Sequence, residues 1–316
     1  MIRILGSLVA LIALAAGAVV ALAWVAARSI IVPSRRSLTR SPADLGLAFE
    51  SVALEGADGL RLAGWWLAAD GPRATVILLH GFGSVRDEML DHAPYLHDAG
   101  FDVLLFDARA CGESGGIMST LGWREQDDLR AVVDQIEART AGRPIFAIGH
   151  SLGSATAILE GATDSRLGAF VLEAPFTSID DIVDRTFSHF SRPSLPAFPF
   201  APLAVAVAER RVGQGRHSIR PIDAIGRLGP RPVLIVTGAH DEVVPPADAQ
   251  RLLARAGVGA SWWLIPDAGH SGSDRDPFQM VPDEYRRRVL ALFEAALVRP
   301  GPQSVAAPPT TGSSVT

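Results

Sequence analysis

One pentapeptide, set between an apolar run and a helical stretch, constrains this chain more than any other feature. Residues 144–148, Pro-Ile-Phe-Ala-Ile, predict a buried strand, and Gly-His-Ser-Leu-Gly follows directly. A Gly-x-Ser-x-Gly turn from strand to helix holds the serine in a strained conformation with its hydroxyl clear of the sheet, because the glycines have no Cβ to collide. The predicted nucleophile turn consists of Ser151 and its neighbours Gly149, His150 and Gly153.

Ser151 needs a general base, and one histidine near the end of the chain is suitably placed. Taken alone, the pentapeptide also fits a glycine-rich turn in which the serine only caps the following helix. Where such a turn carries a nucleophile, the acid and then the histidine follow it along the chain. His270 lies in the glycine-flanked loop after the strand predicted for residues 261–265. It is therefore the predicted base, whereas four others lie in polar or amphipathic stretches typical of the surface: His92, His97, His189 and His217.

The acid is expected in the loop that leaves the apolar strand predicted for residues 232–238. Asp241 lies in that loop and would accept the Nδ1–H of His270, which fixes the tautomer and stabilises the imidazolium. Two other carboxylates compete with it. Glu242 would tend to point away from its neighbour, and Asp267 lies in the same loop as His270, where a turn role is typical. The prediction is Asp241.

An oxyanion hole is expected where a third strand ends. The apolar run 75–79 leads into His-Gly-Phe-Gly at residues 80–83. Nucleophile turns of this kind take one donor from the residue after the serine and another from such a loop. The predicted donors are therefore the backbone N–H groups of Leu152 and Phe82, and His80 is expected to bond within the loop.

Six motifs together indicate a family resemblance. They lie at residues 58–65, 80–83, 107–114, 149–153, 238–241 and 269–270. In this order they resemble the α/β-hydrolase superfamily over about residues 45–298 and, more narrowly, a single-pass, membrane-anchored branch akin to serine aminopeptidases and monoacylglycerol lipases. One departure is Ala110, where members often carry glycine; the loop is structural in most relatives, so the change is expected to be tolerated.

The resemblance implies an α/β fold with a mostly parallel, eight-stranded sheet flanked by helices. The alternation of short apolar runs with amphipathic stretches agrees with this fold, and residues 49–54 and 60–67 predict an antiparallel hairpin. Residues 47–299 would form the hydrolase domain, with a short cap insertion at about residues 174–229. Four cap phenylalanines would line an apolar pocket or pack the cap onto the body: Phe187, Phe190, Phe198 and Phe200.

The N-terminus predicts a transmembrane anchor within residues 1–28. An uncharged stretch begins at Ile4 and ends at Ala27, which is long enough to cross a bilayer. A signal peptide cleaved near residues 21–23 is the competing interpretation, but its apolar core would be shorter. More arginines follow the span than precede it, which favours a cytosolic catalytic domain. Residues 29–46 are the expected linker, and residues 300–316 the expected disordered tail.

Composition excludes several other classes of protein. Cys111 is the single cysteine, so no intrachain disulfide forms, and it is expected to be a loop residue. No spacing suggests a zinc site or a nucleotide-binding loop, so neither metal nor cofactor is predicted. The net charge is −5 and no basic stripe is present, which argues against a nucleic-acid partner. The oligomeric state is not indicated.

The expected function is two-step acyl transfer by a serine hydrolase acting on a small-molecule acyl substrate. The substrate would be an ester, a thioester or an amide, cleaved through an acyl-enzyme by Ser151, His270 and Asp241. An acyltransferase using the same triad is one alternative. A membrane scaffold that has lost catalysis is another, although the intact set of three residues argues against it.

Overall fold

A single eight-stranded sheet forms the centre of the computed structural model, which describes residues 2–189, 197–270 and 275–298. The strand order is β1-β2-β4-β3-β5-β6-β7-β8. β2 runs antiparallel to both of its neighbours, and the remaining pairs are parallel. The strands are β1 (Glu50–Glu55), β2 (Arg61–Leu67), β3 (Ala74–Leu79), β4 (Phe101–Phe106), β5 (Ile145–His150), β6 (Leu167–Glu173), β7 (Val233–Gly238) and β8 (Ala260–Ile265).

The central strands are apolar along their whole length because helices cover both faces of the sheet. Every residue of β3, β4, β5 and β7 is buried, as expected for parallel strands. The edge strand β1 instead alternates between exposed and half-buried residues. The mostly parallel sheet and the antiparallel β1–β2 hairpin confirm the fold predicted from the sequence.

Ten α-helices lie in the described part of the chain. They are α1 (Ile2–Ile31), α2 (Ala93–Asp98), α3 (Trp123–Thr140), α4 (Leu152–Gly161), α5 (Ile179–His189), α6 (Ala197–Val212), α7 (Pro221–Ala224), α8 (Pro246–Ala256), α9 (Pro277–Met280) and α10 (Pro282–Val298). One face of the sheet packs against α3, α4 and α8, and the other against α2 and α10. The sheet is therefore enclosed, and only the loops at the strand ends remain open for chemistry.

The N-terminal helix joins the folded body at its C-terminal end. α1 is apolar and exposed over most of its length, and it is long enough to cross a membrane. At its end, Ala27 and Ile31 pack against Ala204 and Ala208 of α6. The N–H of Ser119 also donates to the carbonyl of Ile31, at 2.8 Å. The helix continues through Ile31, so the first three residues of the linker expected from the sequence are helical.

Hydrogen bonds also attach the segment that follows α1 to the body. The Arg35 guanidinium donates to the carbonyls of Gly112, Ser114 and Gly116, at 2.7–2.8 Å. The backbone N–H of Thr39 donates to Asp87 at 2.7 Å. Two expectations lie outside the described residues, namely the tail at 300–316 and the cap side chains Phe187, Phe190, Phe198 and Phe200.

Candidate active site

Ser151 occupies the turn between β5 and α4 in a strained backbone conformation. Its φ is 50° and its ψ is −108°, a region that residues with a Cβ rarely adopt. The Ser151 N–H donates to the carbonyl of Glu173 at the end of β6, at 2.9 Å. The Ser154 hydroxyl donates to the same carbonyl at 2.8 Å. These two hydrogen bonds to the neighbouring strand β6 therefore hold the turn in place.

Close backbone packing explains both glycines of this turn. A Cβ on Gly153 would lie 2.2 Å from the carbonyl oxygen of Leu79, and one on Gly149 would lie 2.5 Å from backbone atoms of Gly153 and Ser154. Neither position can accept a side chain without moving backbone. The contact at Gly153 also sets the start of α4 against the end of β3, where the residue 80–83 loop begins.

Asp241 and His270 form a hydrogen-bonded pair at the ends of β7 and β8. The His270 Nδ1 lies 2.7 Å from Asp241 Oδ2. The other carboxylate oxygen of Asp241 accepts the backbone N–H groups of Val243 and Val244, at 2.9 and 2.7 Å. Asp241 is buried, whereas the competing carboxylates Glu242 and Asp267 are exposed. An acid held in this way fixes both the orientation and the tautomer of the imidazole.

The two loops that carry this pair touch through their backbones. A Cβ on Gly238 would lie 2.4 Å from the carbonyl oxygens of Ala268 and Gly269. The N–H of His240 donates to that Ala268 carbonyl at 2.8 Å. Gly238 therefore allows the loop with the histidine to approach the loop with the acid.

His270 also lies against the nucleophile turn. Its ring is 4.8 Å from the ring of His150, measured between centroids, with an interplanar angle of 57°. Since His150 directly precedes Ser151, this contact brings the Asp241–His270 pair to the serine turn.

The two predicted oxyanion donors lie on adjoining segments. Leu152 is the first residue of α4, and N–H groups in the first turn of a helix have no partner within the helix. Phe82 lies in the loop after β3 and is 40% exposed. His80 anchors that loop, because its Nε2 accepts the N–H of Ala108 at 2.9 Å while its Nδ1 contacts the carbonyl of Gly81 at 2.7 Å.

Behind the nucleophile turn lies an ion pair that the sequence did not indicate. His150 Nδ1 is 3.2 Å from Glu88 Oε2, and the same oxygen accepts the N–H of Gly81. Burial alone would raise the pKa of Glu88, but the neighbouring His150 and His80 and the Gly81 N–H lower it to about 2. Burial would lower the pKa of His150, but Glu88 outweighs it and raises that pKa above its usual value. The two side chains thus favour each other's charged form against the opposing effect of burial.

A second polar cluster continues from this pair, and it corrects one prediction. His92 is buried, so its placement on the surface was wrong. Its Nε2 lies 3.3 Å from the Glu173 carboxylate, and the Tyr285 hydroxyl donates to that same carboxylate. Burial raises the pKa of Glu173, but His92 and His150 lower it overall. The sequence signal for this cluster was Glu173 itself. It is a carboxylate at the C-terminal end of a parallel strand, the edge of the sheet where ligand sites are usually found.

Cys111 and Ala110 lie in the loop after β4. Burial raises the pKa of the Cys111 thiol to about 12, so the thiol is protonated at neutral pH and is a poor nucleophile. Ala110 has a φ of 63°, a conformation that favours glycine, so alanine at this position carries local backbone strain.

Within the described ranges, no group of three or more histidine, cysteine or acidic residues is arranged to hold a metal ion.

Comparisons with known proteins agree with this architecture. Residues 70–203 match the family described as serine aminopeptidase, S33. An esterase of Pyrococcus furiosus superposes with a TM-score of 0.70 and 27% sequence identity, covering 84% of this chain and 97% of the esterase. An uncharacterized protein of Mycobacterium tuberculosis is 28% identical over 88% of this chain and 92% of its own length. The α/β-hydrolase domain-containing protein WAV2 of Arabidopsis thaliana is 27% identical over 72% of this chain and 74% of its own.

The sheet order, the strained serine turn and these similarities point to one superfamily. The chain is an α/β-hydrolase-type enzyme.

Proposed function

We propose that this protein is a serine hydrolase in which Ser151 is the nucleophile, His270 the general base and Asp241 its orienting acid. The observation that carries the proposal is the Asp241–His270 hydrogen bond, whose histidine ring lies against the residue preceding Ser151. An imidazole oriented by a buried carboxylate next to a strained serine is the arrangement needed to activate a hydroxyl.

The reaction would proceed through an acyl-enzyme. His270 takes the Ser151 proton as the hydroxyl oxygen attacks the carbonyl carbon of an ester, thioester or amide. The N–H groups of Leu152 and Phe82 would stabilise the oxyanion. His270 then gives the proton to the leaving group. A water molecule, deprotonated by the same imidazole, attacks the acyl-enzyme and releases the acid, which restores Ser151.

A fluorophosphonate probe tests the nucleophile. Ser151→Ala should abolish labelling and lower ester turnover by about 10³-fold or more, because the attacking oxygen is lost. Labelling of the intact chain should map to a peptide that contains Ser151, by mass spectrometry. Labelling that persists in Ser151→Ala would refute the assignment.

Matched variants make this test specific. Ser51→Ala removes an exposed hydroxyl on β1 and should leave labelling and turnover unchanged.

Asp241→Asn tests the acid and should lower kcat by about 10²–10⁴-fold, since an amide can hold the wrong tautomer of the histidine. Glu242→Gln, at the adjacent exposed position, should have little effect. Equal effects of the two acid variants would exclude Asp241 as the triad acid.

We also propose that α1 is an uncleaved membrane anchor. Cleavage near residues 21–23 would divide a helix whose last turns pack on the body through Ala27 and Ile31. Trp24 is contacted by the guanidinium groups of Arg28 and Arg211, at 5.9 and 5.7 Å from its ring centroid, and Trp with Arg is typical of the membrane–water interface. The excess of arginine after the span favours a catalytic domain on the cytosolic side.

A further inference from the structure

Two arginines from different helices converge on one tryptophan where α1 meets the body. The Arg28 guanidinium lies 5.9 Å from the centroid of the Trp24 ring, about one turn further along α1. Arg211, in the last turn of α6, places its guanidinium 5.7 Å from the same centroid. We call these three residues the junction cluster. It brings two positive charges to one point on the surface of the molecule.

Neither guanidinium of the junction cluster has an acidic partner. The chain carries 34 acidic residues against 29 basic ones, histidines aside, so carboxylates are plentiful. Yet neither Arg28 nor Arg211 forms an ion pair with any residue that the structure describes. Glu209, two residues before Arg211, instead accepts the backbone N–H of Arg216. The two like charges repel each other, and an anion bound beside them would offset that repulsion.

One nitrogen of Arg211 is buried without an acceptor. Its Nη1 is shielded from solvent and has no hydrogen-bond partner in the described part of the chain. Three other arginines have a buried Nε without an acceptor, but each pairs with a carboxylate through another nitrogen: Arg86, Arg143 and Arg185. A buried donor left unbonded is costly, and the face of an indole ring is a weak acceptor. Arg211 is therefore suited to receive an anionic oxygen.

A role in ending α6 does not account for this arrangement. Basic side chains in the last turn of a helix often bond the final carbonyls, and Arg210 and Arg211 both lie there. The Arg211 guanidinium, however, bonds no carbonyl among the described residues and lies against Trp24 of the other helix. Its position thus reflects the junction with α1 rather than the end of its own helix.

The depth of the cluster along α1 indicates which anion it would meet. The residues before Trp24 are almost all exposed and apolar, and about 20 such residues cross the hydrocarbon core of a bilayer. Trp24 then falls where the lipid headgroups begin, a depth at which tryptophan and arginine are common. Phosphate groups lie at this depth, and the planar guanidinium binds phosphate through two parallel hydrogen bonds.

From this arrangement we propose that the junction cluster binds the phosphate of an anionic phospholipid, in the leaflet that faces the folded body. The inference rests on the proposal that α1 is a membrane anchor, and it adds a lipid partner to it. Because Arg28 and Arg211 belong to different helices, one bound headgroup would hold α6 against α1 at the bilayer surface.

Native mass spectrometry of the full-length protein in detergent micelles tests the site. The protein is titrated with phosphatidylglycerol or, at the same concentrations, with phosphatidylcholine, and the lipids retained on the protein are counted. Both lipids carry a phosphate, but only phosphatidylglycerol has a net negative charge, so the wild type should bind it at least tenfold more tightly. Arg211→Gln should weaken that binding at least fivefold. Arg28→Gln, on the other helix, should act in the same direction and gives an independent measurement.

Arg255→Gln is the matched control for both variants. Arg255 lies exposed on α8 and, like the two arginines of the cluster, has no carboxylate partner within the described ranges. The substitution removes the same charge from a different part of the surface, so it should keep the wild-type affinity for phosphatidylglycerol. Circular dichroism of every variant shows whether it is folded, so that unfolding is not mistaken for weaker binding.

Inorganic phosphate distinguishes a lipid headgroup from a soluble anion. Phosphatidylglycerol should remain on the wild-type protein when millimolar phosphate is added, because its acyl chains keep it in the micelle beside α1. If phosphate displaces it, the junction cluster is a site for soluble phosphate, and the lipid proposal is overturned.

The remaining outcomes separate this inference from the anchor proposal. If the protein stays in the membrane after an alkaline carbonate wash, but both cluster variants retain phosphatidylglycerol as the wild type does, the headgroup site is refuted and the anchor stands. An equal loss of binding in Arg255→Gln and Arg211→Gln also refutes the site, since net charge alone would then explain the affinity. If expression yields a protein without α1, the anchor proposal fails and the inference fails with it.

Discussion

Glu88 and His150 form a hydrogen-bonded carboxylate–imidazole pair directly behind the serine turn. Removing charges from water is costly, and a buried pair offsets that cost only when both members find partners. Glu88 has two such partners, since it accepts the N–H of Gly81 and contacts Nδ1 of His150. His150 in turn packs against the ring of His270. The pair therefore links the stability of the turn to the position of the proposed base.

Glu88→Gln should lower the free energy of unfolding by about 2–4 kcal/mol near pH 5–6, because the His150 charge is left buried without its counter-charge. The loss should depend on pH in both directions. The pKa of Glu88 is lowered to about 2, so its contribution exists above the unfolded value near 4.5 and disappears as the pH falls toward 2. The pKa of His150 is raised, so its contribution is complete below about 6.5 and disappears as the pH rises through the folded value.

Urea unfolding from pH 3 to pH 9 measures this difference between wild type and variant. Glu50→Gln is the matched control, because Glu50 forms a solvent-exposed pair with Arg139 whose loss should change the free energy of unfolding little. A difference for Glu88→Gln that is no larger than that of Glu50→Gln, and flat with pH, would show that the buried pair makes no net contribution.

At the candidate site, neighbouring strands, helices and loops contact one another through backbone atoms as well as through side chains. Gly153 sets α4 against the end of β3, and Gly238 sets the end of β7 against the loop after β8. Both contacts lie at the carboxyl edge of the parallel strands, where the proposed catalytic residues lie. At this edge, the distance between two elements determines the distance between two reacting groups.

Gly238→Ala should therefore impair catalysis more than stability. The added Cβ would overlap the carbonyl oxygens of Ala268 and Gly269, so the loop carrying His270 must move away from Asp241. We expect kcat/KM to fall by about 10²–10⁴-fold, the usual contribution of a positioned base, with a parallel fall in the rate of fluorophosphonate labelling. Ester hydrolysis and labelling kinetics measure the effect, and urea unfolding shows whether the fold persists.

Gly215→Ala provides the comparison for that variant. Gly215 has an ordinary φ of −73°, and the nearest atom to an added Cβ is 4.0 Å away. This substitution should leave hydrolysis within about twofold of wild type, since alanine is readily accommodated there. Wild-type kinetics in Gly238→Ala would mean that the loop absorbs the methyl group without moving His270.

Local patterns predicted the elements well, because strand runs and glycine motifs are encoded in adjacent residues. The apolar runs at β3, β5 and β7 and the hairpin of β1 and β2 were all visible in the sequence. What escaped prediction depends on three-dimensional proximity. The burial of His92 beside Glu173 joins positions about 80 residues apart, and a polar stretch gives no sign of it. The packing of α1 on α6 uses alanines at Ala27, Ala204 and Ala208, which carry no distinctive signal.

The whole molecule combines an enclosed α/β body with one apolar helix that projects from it. The projecting part of α1 exposes large apolar side chains such as Leu5, Leu11 and Leu14, which water would solvate poorly. The end of the same helix is integral to the body, through Ala27, Ile31 and the carbonyl bonded to Ser119. A cleaved leader would be expected to lack such contacts, whereas an anchor gains a fixed orientation from them.

The anchor proposal predicts that the full-length protein stays in the membrane pellet after an alkaline carbonate wash, with its N-terminal residues retained when the protein is examined by mass spectrometry. A variant that lacks residues 2–23 keeps Trp24 through Ile31, the part of α1 that contacts the body, so it should remain folded and react with fluorophosphonate. It should also move largely to the soluble fraction, because about 20 apolar residues are needed to span a bilayer. If expression of the full-length gene instead yields a protein in the supernatant whose N-terminus lies near residue 24, α1 is a signal peptide.

A protease added to intact cells tests the side of the membrane. Protection of the C-terminal domain that is lost when the cells are opened would place the catalytic site on the cytosolic face, as the arginines after the span lead us to expect.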